Sequence, residues 1–449
     1  MKKGFFATIV TSILVTIPPA NGQNFSGDAR KIGMGGVGFD HNITTKMIEE
    51  QRPYAPVVLP LSLIQILQDL DRFDPDDERF DPLLVLEYAA NPIHYVFGRR
   101  GAAARGAFVE DLANGELKRD LNNYRGFVPA SESIVEGLVS PNWGPTIKFV
   151  RRADGTFHGI YAGVGPYLSA RTAVEIDTGL IDLLAGPTAE YRPDRSFRIA
   201  DVSSGQLALA MTVGYRGRIA LRGKSSAAGR EGVYIGANYH YLYGFGHASA
   251  DVRIRLDTDA AGLLTVVPST IPISVDYLYA RRGSGLAMDF GAGIVTSRWE
   301  LGFGVNGVGN RIEWRRLEGR RYTMRSLVEG SDFVEEAVPL GFDRIRVELP
   351  VRYIGSAAYY RGAWTVRAEI CRGFHKTSFH GGVERRIGAI ELRAGGRFSR
   401  GQWHPAAGLG FNLGRRFSID VAGFTTSANI ERKRNPAMAA SLRFNPRTK

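Results

Sequence analysis

Residues 364–370 read Trp-Thr-Val-Arg-Ala-Glu-Ile, and residues 390–398 read Ile-Glu-Leu-Arg-Ala-Gly-Gly-Arg-Phe. Apolar and polar side chains alternate in both segments, and the same alternation returns in residues 403–413 and 417–421. Successive side chains of a β-strand point to opposite faces of a sheet, so a period of two predicts strands with one apolar and one polar face. Four such segments joined by tight turns predict an antiparallel meander.

The alternation extends over most of the chain from about residue 145 onward. Many segments are long enough for the ~9–11 residues with which a tilted strand crosses a bilayer. Roughly 300 residues at this spacing predict about 14 strands, within a range of about 12 to 16. We therefore predict an all-β fold, an antiparallel transmembrane β-barrel spanning residues 145–449.

Two architectures could use such strands, a soluble β-sandwich and a membrane barrel, and they differ in which face is wet. Tryptophans on the apolar files favour the barrel, because tryptophan concentrates where a membrane meets water. These predicted girdle residues are Trp299, Trp314, Trp364 and Trp403. The polar files then face the lumen, and the predicted lumen residues are Arg311, Glu313, Arg346, Glu348, Arg367, Glu369, Glu391, Arg393 and Arg397.

The N-terminus has the pattern of a secretory signal peptide. Lys2 and Lys3 precede an apolar run, and Ala20-Asn21-Gly22 offers a small-residue cleavage site. A positive start, a short apolar run and small residues at the cut are the marks of an exported chain. We predict a signal peptide over residues 1–22, cleavage after Gly22, and residence in the outer membrane.

Residues 23–144 differ in pattern from the rest. The segment 28–38 is rich in glycine, and Leu61, Ile64 and Leu67 fall at helical spacing. We predict a glycine-rich and helical hatch or plug region over 23–144.

The formal net charge of +12 raises the question of nucleic acid. Arginines here alternate with acids along single strands, as in Glu391 and Arg393, whereas a nucleic-acid surface would be basic without interleaved carboxylates. We predict no nucleic-acid partner and assign the basic excess to lumen and rim. No cofactor or metal motif has the required context, since the glycine pattern at Gly33, Gly35 and Gly38 follows no strand.

A catalytic alternative is an outer-membrane hydrolase. The close pairs His247 with Ser249 and His380 with Ser378 are its candidates, but side chains two apart on a strand lie about 7 Å apart. The single cysteine, Cys371, is predicted to be a small buried hydrophobe. We predict no catalytic residues and no enzyme.

The segment Asp28-Ala29-Arg30-Lys31-Ile32-Gly33-Met34-Gly35-Gly36 resembles the opening of FadL-type transporters of hydrophobic compounds and of the related PorV-like and TraF-like outer-membrane proteins. The resemblance covers these nine residues and the barrel pattern. It implies that this segment, with an Asn-Pro motif, lies in or under the lumen as a hatch. The hatch candidates that it implies are Gly33, Met34, Gly35, Gly36, Asn91 and Pro92.

The predicted function is a channel or transporter for small molecules, hydrophobic or anionic. The alternative is a barrel without transport of its own that serves as a partner in secretion, conjugation or surface assembly. Outer-membrane lipid is the expected surrounding in either case.

Overall fold

A computed structural model describes residues 28–36, 43–49, 55–68, 94–97, 132–140, 142–185, 194–221, 230–260, 265, 270–326, 333–374, 377–399, 401–414, 417–427 and 434–444 of the 449-residue chain. The predicted signal peptide lies outside these residues. Four short helices are present in them: α1 Ala29–Gly33, α2 Ile43–Glu49, α3 Ser62–Gln68 and α4 Thr178–Ala185. Helix α3 contains the predicted helical spacing of Ile64 and Leu67. No helix in the described ranges has the length and hydropathy needed to cross a membrane.

Strands make up most of the described chain and belong to a single sheet in which neighbours are antiparallel. Their bounds are β1 Ala55–Leu59, β2 Tyr95–Val96, β3 Glu132–Val139, β4 Thr146–Arg151, β5 Phe157–Ile176, β6 Ser196–Ala220, β7 Gly232–Asp257, β8 Ile273–Val295, β9 Trp299–Met324, β10 Val334–Val338, β11 Arg344–Glu348, β12 Arg352–Arg361, β13 Trp364–Arg372, β14 Ser378–Ile387, β15 Ile390–Ser399, β16 Gln402–Leu413, β17 Phe417–Ser427 and β18 Arg434–Phe444.

The eighteen segments in the described residues exceed the predicted range of strands because several share one position in the sheet. β10, β11 and β12 pair one after another along the same side of β9. Likewise β1 and β2 share one side of β18, and β3 and β4 share one side of β5. The segments therefore occupy fourteen positions. β1, β2 and β3 all lie within the predicted hatch region 23–144, so that region contributes strands to the sheet, next to β18 and β5.

Strand length divides the sheet into two parts. β6 to β9 have 23 to 26 residues, whereas β12 to β18 have 9 to 12. At about 3.4 Å per residue the long group extends well beyond the short group. The two groups are level at the end where residues 296–298, 362–363 and 388–389 turn the chain. We call this the short-turn end; the long strands extend beyond β12 to β18 at the opposite, long-loop end.

The outer face of the short strands is apolar and the inner face is polar. On β13, Trp364, Val366 and Ile370 are exposed while Glu369 and Cys371 are buried. The same alternation continues through β14 to β18. This is the arrangement of a transmembrane β-barrel, with lipid outside and polar groups inside.

Candidate functional site

The N-terminal segment, residues 28–36, lies on the inner face of β14 to β18. Helix α1 follows Asp28, whose carboxylate accepts a hydrogen bond from the backbone N–H of Arg30 at 3.0 Å, as an N-cap does. The N–H of Ala29 donates to Ser441 Oγ on β18 at 3.1 Å. Ala29 and Ile32 are buried against alanines of β17 and β18. The segment is thus bound to the wall by both polar and apolar contacts.

Glycines let the backbone of this segment touch the wall directly. A Cβ added at Gly382 would lie 2.4 Å from the carbonyl oxygen of Met34, and one at Gly395 would lie 2.4 Å from its carbonyl carbon. A Cβ at Gly33 would lie 3.0 Å from the Cα of Gly408. In each case the neighbour is backbone, which cannot turn aside as a flexible side chain can. Any larger residue at these positions would separate the segment from the wall.

Two further glycines shape the end of the segment. Gly35 and Gly36 have φ values of 77° and 81°, a conformation that costs glycine little and other residues more. The carbonyl oxygen of Gly35 lies 3.1 Å from His380 Nδ1 on β14, which donates if that nitrogen carries the proton. The hatch candidates 33–36 therefore lie on the inner face of β14 to β18, and their role as a hatch stays a prediction. Asn91 and Pro92 fall outside the described residues.

Beneath the segment lies a cluster of buried charges. Arg30 donates to both carboxylate oxygens of Glu384, from Nε at 2.8 Å and from Nη2 at 2.7 Å. Glu384 also accepts from Arg393 Nε at 2.7 Å. Arg393 in turn donates to Asp420 Oδ1 at 2.7 Å and to Glu391. One arginine thereby connects carboxylates from β14, β15 and β17.

A second arginine completes this charge cluster. Arg443 Nη2 lies 2.7 Å from Glu391 Oε2, and its Nε lies 3.3 Å from Asp420 Oδ2. Arg386 reaches Glu391 from the short-turn end at 2.8 Å. The side chains of Glu391, Asp420 and Arg393 have no exposed surface. Buried charges are tolerated only with close partners, because the desolvation of each ion must be offset by pairing and hydrogen bonding.

On the opposite part of the wall a chain of hydrogen bonds, the polar relay, crosses four strands. Thr212 Oγ1 on β6 lies 2.7 Å from His240 Nδ1 on β7, and His240 Nε2 lies 2.7 Å from Asp289 Oδ2 on β8. Asn142, in the interruption between β3 and β4, donates to Thr212. Asp289 Oδ1 accepts from the N–H of Gly307 on β9 at 2.8 Å. The relay joins the interruption between β3 and β4 to a bulge in β9, where Gly307 has a φ of 77°.

The relay has the hydroxyl–imidazole–carboxylate order of a hydrolytic triad, which sequence reasoning missed because its members come from three separate strands. A nucleophile must reach its substrate, but Thr212 is only 5% exposed and its oxygen already accepts from Asn142. We interpret the relay as a structural network. With a neutral imidazole, the network requires His240 Nδ1 to accept from Thr212 and His240 Nε2 to donate to Asp289.

Toward the long-loop end, the inner face carries an apolar cluster centred on Trp314. Its side chain is completely buried, stacks on His247 at 5.6 Å between ring centroids, and donates from Nε1 to Gln206 Oε1 at 3.2 Å. The other buried members are Tyr167, Ala208, Ala210, Leu242, Ala280, Ala287 and Ile312. They come from β5 to β9. Leu138 of β3 and Ile345, Val347 and Leu349 from β11 and the residue after it pack against them.

Of the nine predicted lumen residues, five lie on the inner face: Arg367, Glu369, Glu391, Arg393 and Arg397. The other four, Arg311, Glu313, Arg346 and Glu348, lie on the outer face, because their strand neighbours Ile312, Trp314, Ile345 and Val347 pack into the inner apolar cluster. The prediction of a lumen position was wrong for these four. Beyond the membrane band the outer face meets water, so there the polar file turns outward.

Three of the four predicted girdle tryptophans face outward. Trp299, Trp364 and Trp403 are 48%, 45% and 59% exposed. Trp314 is fully buried on the inner face, so its assignment to the girdle was wrong. Trp314 shares the inward file of Ile312, whereas Phe303 and Val305 belong to the outward file that Arg311 continues beyond the bulge at Gly307 and Gly309.

The candidate pairs for a hydrolase do not form. His380 is directed at Gly35, and Ser378 Oγ contacts the carbonyl oxygen of Cys371 at 3.5 Å. His247 Nδ1 contacts the carbonyl oxygen of Gly205 at 3.0 Å. Cys371 is buried. Within the described residues no group of three His, Cys, Asp or Glu side chains could hold a metal ion.

Comparison with known proteins gives weak similarity. No family model and no curated protein sequence matches the chain. Among solved structures, the Ralstonia pickettii toluene transporter TbuX has 12% identity and a TM-score of 0.33 over 77% of this chain and 94% of its own. The Pseudomonas putida toluene transporter TodX has 11% identity and a TM-score of 0.31 over 72% and 90%. Outer membrane phospholipase A from Escherichia coli has 10% identity and a TM-score of 0.23 over 54% and 85%.

Proposed function

We propose that this chain is an outer-membrane channel for small hydrophobic molecules. The observation that carries the proposal is the apolar inner surface at β5 to β9 and β11, where the partly buried Leu138, Ile345, Val347 and Leu349 pack around the buried cluster of Trp314. The lumen of a water-filled porin is polar. A solute that contacts the exposed parts of these leucine, isoleucine and valine side chains gains about 25 cal/mol for each Å² of apolar surface that it buries, and the same side chains give an ion nothing to replace its water.

The charges of the inner face support the hydrophobic over the anionic option. The arginines Arg30, Arg393 and Arg443 on the opposite wall donate to Glu384, Glu391 and Asp420 at hydrogen-bonding distance. Guanidinium groups already bound to carboxylates attract a passing anion weakly. The N-terminal segment covers this charge cluster and is proposed to act as the hatch.

The location and the relatives of the chain belong to the same proposal. Export through a cleaved signal peptide, residence in the outer membrane and membership of the FadL-type, PorV-like and TraF-like group are supported by the N-terminal sequence and by the position of residues 33–36 on the inner face. We propose no catalytic role and no nucleic-acid partner.

Uptake by whole cells tests the proposal, because hydrophobic solutes cross phospholipid vesicles without help but are held back by a lipopolysaccharide leaflet. Cells expressing the chain are expected to take up a fluorescent arene such as N-phenyl-1-naphthylamine several-fold faster than cells with an unrelated barrel at equal level. Uptake of a hydrophilic sugar is the reference. An equal increase for the sugar would indicate a porin, and no increase for the arene would overturn the proposal.

A second candidate, a non-transporting partner in secretion, conjugation or surface assembly, is favoured by one observation. The side chains of Glu391, Arg393 and Asp420 in the charge cluster have no exposed surface, and the core residues of the Trp314 cluster are at most 3% exposed. A barrel packed in this way on both walls can serve as a scaffold without transport. It predicts no uptake of either probe and stable co-purification with a surface or secretion complex.

A further inference from the structure

The outer face of β8, β9 and β11 carries a group of arginines that the channel proposal does not use. We call Arg282, Arg311, Arg315, Arg344 and Arg346 the outer arginine patch. They occupy adjoining positions in the register, since Arg282 pairs with Arg315, and Arg315 pairs with Arg344. All five are exposed.

The patch begins where the lipid-facing apolar surface ends. On β9 the outward file Trp299, Leu301, Phe303 and Val305 is interrupted by the bulge at Gly307 and Gly309. Beyond it, Val308 pairs with Met288 and Arg311 pairs with Leu286 on the same face of β8. Val305 pairs with Tyr353, which is 49% exposed. The arginines therefore adjoin the surface that contacts the membrane.

Tyrosines border the patch on its other side. Arg311 pairs with Leu286, which pairs with Tyr241, and Glu313 pairs with Ser284, which pairs with Tyr243. Both tyrosines are about 40% exposed or more and face outward. Tyrosine is enriched at the level of lipid head groups, where its ring lies in hydrocarbon and its hydroxyl in water.

The charge of the patch is not balanced by its own acids. Glu313 lies 3.0 Å from Arg315, and Glu348 lies 2.6 Å from Arg346. Arg282 and Arg311 have no hydrogen-bonding or ionic partner in the described structure. Arg344 lies 3.7 Å from Glu313 and 3.5 Å from Asp343. Five arginines against Glu313, Glu348 and Asp343 leave an excess of two positive charges.

We propose that the outer arginine patch binds the phosphate groups of the membrane lipids that border the long-loop end of the barrel. Arginine offers paired donors that match phosphate oxygens, and such contacts are stronger than neutral hydrogen bonds. The partly apolar border at Tyr241, Tyr243 and Tyr353 would contact the upper acyl chains of the same lipid. A patch that only faced water would show no preference for a lipid over free phosphate.

Binding of diphosphorylated lipid A to the full-length barrel in detergent tests this proposal, with phosphatidylcholine as the zwitterionic reference and inorganic phosphate as competitor. R282E/R311E is expected to bind lipid A at least about thirtyfold more weakly than the unchanged chain, because two juxtamembrane arginines each contribute on the order of 1 kcal/mol near an anionic surface and about 1.4 kcal/mol is tenfold in affinity. R282A/R311A is expected to show a smaller loss, and R282K/R311K should retain most binding.

The matched control is R253E/R255E. Arg253 and Arg255 are exposed on the same chain, carry the same charge, and are bound to Asp251 and Asp257 on the extension of β7. The affinity of R253E/R255E for lipid A is expected to differ from that of the unchanged chain by less than about twofold. Equal losses in both double variants would mean general charge attraction and would overturn the proposal, as would full displacement of lipid A by equimolar inorganic phosphate. Heat-modifiable gel migration confirms that each variant folds, and the readout is independent of transport.

Discussion

Arg393 Nη1 lies 2.7 Å from Asp420 Oδ1, and neither side chain has any exposed surface. The two residues come from β15 and β17, which are separated by β16, so the contact ties alternate strands together on the inner face. Replacing a buried ion pair by apolar residues often changes stability little, whereas removing one partner leaves an unpaired buried charge. The charge cluster therefore forms a connected network of ion pairs beneath the N-terminal segment.

Substituting Arg30 tests whether the charge cluster holds the N-terminal segment against the wall. Arg30→Ala removes two hydrogen bonds to Glu384, which keeps its bond to Arg393. We expect a loss of about 1–3 kcal/mol in the binding of the segment to the wall, since bonds to charged groups have about this strength. The measurement is hydrogen–deuterium exchange of residues 28–36, which should become faster by at least about fivefold, since about 1.4 kcal/mol is a factor of ten.

Arg30→Lys is the control for Arg30→Ala. Lysine keeps the positive charge on a single donor nitrogen but loses the paired geometry of the guanidinium group. Exchange of residues 28–36 in Arg30→Lys should therefore be faster than in the unchanged chain and slower than in Arg30→Ala. Arg386→Ala removes another arginine of the cluster that does not touch the segment. Exchange in 28–36 as slow in Arg30→Ala as in the unchanged chain would show that the ion pair does not hold the segment.

The close backbone contact between Gly382 and Met34 predicts a different effect. Gly382→Ala places a methyl group 2.4 Å from the carbonyl oxygen of Met34, where a normal contact needs at least 3 Å. The segment must then leave the wall, while the sheet itself remains paired. We expect faster exchange of 28–36 and greater arene uptake if the segment is the hatch.

Gly423→Ala is the matched control for this substitution. Gly423 lies on β17, three strands along the sheet from β14, has no positive φ, and a Cβ added there meets nothing within 4 Å. It should leave exchange and uptake unchanged. Faster exchange without greater uptake in Gly382→Ala would separate the docking of the segment from its role as a hatch.

The sequence predicted much of the fold because period-two alternation is a local property of each strand. Trp364 and Ile370 face outward as their file predicted, and Glu369 faces inward. Alternation does not say where the membrane ends, however. Arg311 and Glu313 therefore received the wrong face, since the polar file changes sides relative to lipid once the strand leaves the bilayer.

The internal networks could not be predicted for another reason. Thr212, His240 and Asp289 are brought together by the register of three strands, and Arg30 meets Glu384 across 354 residues of sequence. Strand register depends on turns and bulges far from these positions, such as the shift between Leu207 and Ala208. The docking of residues 33–36 was reached only through the family resemblance.

The tryptophans allow a direct test of the two faces. In single-tryptophan variants reconstituted in vesicles of brominated lipid, Trp299, Trp364 and Trp403 should be strongly quenched because they are about half exposed on the outer face. Trp314 should be quenched little, since it is buried among inner residues of β5 to β9. Quenching of Trp314 equal to that of Trp364 would place the cluster on the lipid side and remove the basis of the channel proposal.

The polar relay predicts energetic coupling between residues that do not touch. Thr212→Val removes one partner of His240, and Asp289→Asn leaves one acceptor oxygen for both His240 and the N–H of Gly307. Each substitution is expected to cost about 1–3 kcal/mol because a buried polar group loses a hydrogen bond. His240 takes part in both hydrogen bonds, and which of its ring nitrogens carries the proton depends on both partners. The double variant should therefore lose less free energy of unfolding than the sum of the losses of the single variants, by at least about 0.5 kcal/mol.

Urea unfolding in detergent measures the three free energies. Ser284→Ala, at an exposed position of the outer face of β8, is the control, and its free energy of unfolding should change little. Strict additivity would mean that the two hydrogen bonds act independently and that His240 carries no relay between β6 and β8.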